Sequence, residues 1–108
     1  MAKDLKYFKI EKKRGFIEII CLFEEANEDI LQEIKSVFNL VFFGSNENIK
    51  LNTIKVAYFD HTLINEILNF AKGLKEKKRK FFIYEITNSF QRYLNRFNLD
   101  QLVPISPA

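Results

Sequence analysis

One histidine, one cysteine, no tryptophan, three glycines and two prolines in 108 residues leave little from which to build catalytic or metal chemistry. A hydrolase triad or a zinc site would have to rest on His61, with no second His or Cys at ligand spacing, and no glycine-rich run is present to cradle a phosphate. Fourteen acidic side chains guarantee chance carboxylate pairs, so pairing alone identifies no general acid and base. The expectation is a protein that is not an enzyme and carries neither cofactor nor metal. A single cysteine excludes an internal disulfide, and Cys21 sits in the apolar run Ile19-Ile20-Cys21-Leu22-Phe23, which reads as a buried strand with an inert thiol.

Long hydrophobic runs are missing too. The longest, such as residues 19–23 and 40–43, fall far short of the roughly 20 residues a membrane-spanning helix needs. The start, Met1-Ala2-Lys3-Asp4-Leu5-Lys6, has neither an apolar signal core nor a small-residue cleavage site, so a cytoplasmic location is expected.

What is present is a chain 47% hydrophobic and 29% charged, the size and composition of one domain over residues 1–108. Its net charge is only +3 and unevenly spread. Residues 72–80 hold Lys72, Lys75, Lys77, Lys78, Arg79 and Lys80 against the single acid Glu76, whereas Glu24, Glu25, Glu28, Asp29 and Glu33 form an acidic stretch. A two-signed surface points less to nucleic acid than a uniformly basic one.

Periodicity divides the chain into elements. Tyr7 and Ile10, then residues 16–23, read as a hairpin around Lys12-Lys13-Arg14-Gly15, where Gly15 supplies a positive φ. Asn27, Glu28 and Asp29 open a helix whose apolar stripe is Ile30, Leu31, Ile34, Val37, Phe38, Val41 and Phe42, with Gly44 as its cap. Ile49, Leu51 and Thr53 alternate as a strand, and Val56, Tyr58 and Phe59 lead to a second helix capped by Asp60 or Thr62. Leu63, Ile64, Ile67, Leu68, Phe70, Ala71 and Leu74 form its inner stripe. Residues 81–86 make a further strand. Thr87 or Asn88 opens a third helix with Phe90, Tyr93, Leu94 and Phe97 inward, and Leu102, Val103 and Ile105 suggest a last short strand.

The order β-β-α-β-α-β-α implies an α/β domain with a mixed sheet of four or five strands and helices packed mainly on one side. Ile67 and Phe82 are both expected at the helix–sheet interface. Twelve phenylalanines and four tyrosines are read chiefly as core.

The order of elements and the run from Ile49 to Leu68 resemble the STAS domain, named for sulfate transporters and anti-sigma factor antagonists. In that family a Leu-Asp-Leu-Ser-like strand end leads into Asp-Ser-Ser-Gly-Leu at a helix start. The matching residues are Leu51-Asn52-Thr53-Ile54 and Asp60-His61-Thr62-Leu63-Ile64. The final strand, the helix with Asn88, Phe90 and Leu94, and the ending Asn98-Leu99-Asp100-Gln101-Leu102-Val103-Pro104-Ile105 follow the family's ending. Three family positions differ: His61 stands where the phosphorylated serine is found, Leu63 replaces the glycine, and Phe23-Glu24-Glu25 replaces a glycine near the first strand pair.

The resemblance implies a regulatory protein–protein interaction module that docks a partner through residues 60–66, with Asp60, His61, Thr62, Leu63, Asn65 and Glu66 as the binding residues. The implied partner is an anti-sigma-factor-type kinase or another regulatory protein. A small cytosolic STAS subunit of a membrane transporter is the second branch. With His61 in place of the serine, the usual phosphorylation switch is lost. Thr62 is the alternative acceptor, set against its reading as a helix cap. His61 itself reads first as a surface contact. From a different class, residues 72–80 with Phe81, Phe82 and Tyr84 offer a nucleic-acid-binding alternative, against the simpler reading of a solvated turn. Both a monomer and a homodimer are compatible with the sequence.

Overall fold

The computed structural model describes residues 5–57 and 60–98. Strands β1 (Phe8–Lys13) and β2 (Phe16–Cys21) form the expected hairpin, with Phe8 opposite Cys21 and Lys13 opposite Phe16. Gly15 takes φ +87° at the turn, a conformation that side chains with a Cβ resist. Strands β3 (Asn48–Asn52) and β4 (Phe81–Tyr84) run parallel to β2, completing a four-stranded sheet in the order β1-β2-β3-β4. Helix α1 (Glu28–Gly44) links β2 to β3, α2 (His61–Glu76) links β3 to β4, and α3 (Asn88–Arg96) follows β4. Parallel neighbours require crossovers, and each crossover helix must bury its apolar stripe on the sheet.

The burial pattern shows which face that is. Ile17, Ile19 and Cys21 of β2, Ile49 and Leu51 of β3, and Phe81 and Ile83 of β4 are buried, in register with one another, and Phe8 of β1 joins them opposite Cys21. They meet Ile30, Ile34, Val37, Phe38 and Val41 of α1, Leu63, Ile64, Ile67, Phe70 and Leu74 of α2, and Phe90 and Leu94 of α3 in one core cluster. Phe82 departs from expectation. Side chains alternate along a strand, so with Phe81 and Ile83 facing the helices, Phe82 faces the other way and is half-buried.

Helix ends are closed by specific groups. Asn27 Oδ1 accepts from the Ile30 amide at 2.9 Å. Glu33, on the second turn of α1, accepts from the amides of Lys6 and Tyr7 at 3.0 and 2.6 Å and so ties the chain entering β1 to the helix. Gly44 is the last residue of α1 rather than a left-handed cap. Ser45 lies at φ −155° and donates its hydroxyl to the Val41 carbonyl at 2.8 Å. The last turn of α1 contains no basic residue, and Arg79 supplies the charge from 34 residues further along the chain. Its guanidinium donates to the carbonyls of Val41, Phe42 and Glu47 and to the Ser45 hydroxyl, at 2.8 to 3.2 Å, with the Phe42 ring 5.8 Å away. A planar fork of donors at the negative end of a helix satisfies carbonyls that no intrahelical amide reaches.

Arg79 is therefore buried structure and is removed from the basic run proposed for nucleic acid, while Lys72, Lys75, Lys77, Lys78 and Lys80 remain exposed. Strand β4 ends at Tyr84, two residues earlier than expected, because Glu85 turns the chain at φ +58°. Tyr58, Phe59 and the last expected strand at Leu102, Val103 and Ile105 lie outside the described residues.

Candidate functional site

The three parallel strands deliver their following loops to one end of the sheet, the end at which open α/β sheets commonly place their sites. The loops are knitted together there. The Ala57 amide donates to the Glu24 carbonyl at 2.8 Å, joining the β3–α2 loop to the β2–α1 loop. The Thr87 hydroxyl donates to the Val56 carbonyl at 2.7 Å, joining it to the start of α3. Thr53 is fully buried and bonds the Tyr84 carbonyl through its amide and its hydroxyl, at 3.1 and 3.2 Å. The β3–α2 loop is thus held from both sides.

Helix α2 begins on this support. Asp60, not Thr62, is its cap: Asp60 Oδ1 accepts from the Leu63 amide at 2.9 Å. Thr62 is left exposed on the first turn, together with Asp60, His61 and Asn65, while Glu66 is half-buried. Leu63 is 1% exposed and belongs to the core, which corrects its place among the expected contact residues. Its side chain joins the core cluster beneath the first turn of α2.

Helix α3 brings a second set of residues to His61. The His61 and Phe97 rings meet edge to face at 5.4 Å, and Tyr93 lies 5.1 Å from Phe97. Phe97 is 44% exposed, so it is a surface residue beside the α2 start rather than the inward one expected. Burial first, and the Asp60 charge second, push the Tyr93 phenol above its ordinary range. Ala57, Ser89, Arg92, Tyr93, Arg96 and Phe97 line an open depression of about 640 Å³ next to His61. Arg92 with Arg96 and Tyr93 with Phe97 each recur at a four-residue step, the spacing that places two side chains on one helical face. That spacing was available in the sequence but points to no partner until α3 is seen against α2. Among the described residues, no three His, Cys, Asp or Glu side chains gather as metal ligands would, and no helix is long and apolar enough to cross a membrane.

No protein-family model and no curated protein matches the chain in sequence. The fold is nevertheless that of the STAS domain: a four-stranded mixed sheet with this helix arrangement is shared with several solved structures. A protein assigned as an anti-sigma factor antagonist from Thermotoga maritima superposes with a TM-score of 0.77 at 21% identity, over 94% of this chain and 86% of that one. The anti-sigma factor antagonist SpoIIAA in its unphosphorylated form gives 0.67 at 17% identity, over 94% of this chain and 88% of its own. The murine anion transporter solute carrier 26 family member A9 gives 0.59 at 16% identity, over 87% of this chain but only 16% of the transporter.

Proposed function

We propose that the protein is a regulatory interaction module of the anti-sigma factor antagonist kind, which docks an anti-sigma-factor-type kinase or a related regulator through the start of α2. The observation that carries this reading is the exposed first turn of α2, fixed by the Asp60 cap and flanked by the half-exposed Phe97. A rigid backbone that presents small polar side chains beside an exposed aromatic ring suits recognition by another protein. The fold shared with SpoIIAA supports the partner class. On this reading the protein acts in the cytoplasm, in the regulation of transcription, without chemistry of its own.

SpoIIAA also exists in a phosphorylated form. Here His61 offers no hydroxyl, so no serine switch operates at that position, and Thr62 is the exposed hydroxyl a kinase would reach. A phosphate on Thr62 would add roughly two negative charges beside Asp60 and weaken a partner that docks there. A second reading, a cytosolic subunit of a membrane transporter, has the likeness to solute carrier 26 family member A9 in its favour. The nucleic-acid alternative loses ground because Arg79 is engaged with α1.

The test compares wild type with His61→Ser, His61→Glu and Thr62→Glu, first as bait in extracts of the native cell and then by calorimetry with the purified captured protein. His61→Ser should bind as wild type, whereas both Glu variants should lose at least about tenfold in affinity. Equal binding by all four would remove the start of α2 as the interface.

A further inference from the structure

Helices α1 and α2 both return from parallel strands to parallel strands, so they run in the same direction side by side. Their contacts set a register. The Phe38 and Phe70 rings stack at 3.9 Å, and Gly73 lies against the Phe42 ring, where a Cβ built on Gly73 would sit 3.4 Å from it. One turn back along each helix, the same register sets Lys35 of α1 beside Glu66 of α2. All six residues line an open groove of about 480 Å³ on the outer surface of the two helices. At its end stands Phe43, 81% exposed, its ring edge-on to Phe42 at 4.9 Å.

This surface is complementary to itself. A twofold axis along the groove lays α1 of one copy over α2 of another without reversing their direction. Lys35 then faces Glu66 of the other copy, twice over, and each Phe43 comes over the low surface at the other copy's Gly73 and Phe42. Opposite charges at one end and an aromatic knob over a side-chain-free residue at the other are the matched features that an isologous interface requires. We infer that a second copy of this chain occupies the groove, giving a homodimer through α1 and α2. This goes beyond the docking role proposed for the start of α2 and uses a different surface, sharing only Glu66.

The test is sedimentation equilibrium of the purified 108-residue protein up to about 1 mM, which reads self-association whether or not any regulatory partner exists. Wild type should show a monomer–dimer equilibrium. Phe43→Glu, at a position too exposed to disturb the fold, should raise the dissociation constant at least about 30-fold. Lys35→Glu and Glu66→Lys should each weaken the dimer about tenfold, because two symmetry-related pairs turn repulsive, and the double variant should return to wild-type behaviour. A wild type that stays monomeric overturns the inference, as does a dimer indifferent to Phe43→Glu and to both charge reversals.

Discussion

The two faces of the sheet solve different problems. On the helix side, residues of all four strands are apolar and buried. On the other side, Lys9, Glu11 and Lys13 of β1 share ion pairs at 2.8 and 3.0 Å. Glu18 of β2, although only 5% exposed, is reached by the Tyr84 hydroxyl, by the Asn52 amide at 3.0 Å and by Lys13 at 3.7 Å. Lys50 spans the Phe16 and Tyr84 rings at 4.5 and 5.6 Å. The open face is therefore a polar and aromatic lattice in which a nearly buried carboxylate is tolerated because three donors surround it. The covered face holds the fold together. The open face sets register through specific pairs.

The strongest way to break this contrast is on the covered side. Ile67→Ala, at a fully buried position between α2 and the sheet, should cost about 2 to 5 kcal/mol in chemical denaturation. An unchanged midpoint would refute the assignment of faces. Next comes Arg79→Ala, which removes the guanidinium bonds to the Val41, Phe42 and Glu47 carbonyls and should cost about 2 to 3 kcal/mol. Arg79→Lys should recover only part of that, since an ammonium group keeps the charge but not the planar fork. Full recovery would mean that charge at the helix end suffices. Lys77→Ala with Lys78→Ala should leave the melting temperature within about 2 °C of wild type.

Phe82→Ala sharpens the comparison directly, because its neighbours Phe81 and Ile83 point into the core. A loss below about 1.5 kcal/mol is expected, and a loss as large as that of Ile67→Ala would place Phe82 on the wrong face. The smallest effect is alkaline. Burial and the Glu18 bond raise the Tyr84 phenol above its ordinary value of 10.0, so the folded state holds that proton more tightly than the unfolded chain does. The associated stability is complete below about pH 10 and is lost as pH rises above it. Tyr84→Phe should flatten that part of the stability–pH profile while leaving the neutral-pH slope unchanged, and an unaltered alkaline slope would show that Tyr84 does not couple to folding.

Elements with a clear period are legible in the sequence. The α1 stripe from Ile30 to Val41 and the α2 stripe from Leu63 to Leu74 follow from three- and four-residue steps, Asn27 caps as its position implies, and of the two caps open for α2 the fold uses Asp60. Phe82 was misplaced because Phe81-Phe82-Ile83-Tyr84 is apolar throughout, and a run without alternation does not say which residues face the helices. Arg79 was misread because a lysine-rich stretch conceals one arginine whose partners lie 32 to 38 positions away.

The sequence by itself determined the element order, the hairpin at Gly15, the Asn27 cap and the inner stripes of α1 and α2, because each of these depends on residues within one turn or one strand of each other. It also carried the likeness to the STAS domain through spacing. Only the tertiary structure decided that Phe97 and Tyr93 stand beside His61, that Arg79 closes α1, and that Lys35 and Glu66 face one groove with Phe43 at its end. Each of these joins side chains from different elements. Their proximity depends on how helices settle on a twisted sheet, a property of packing that no local pattern records.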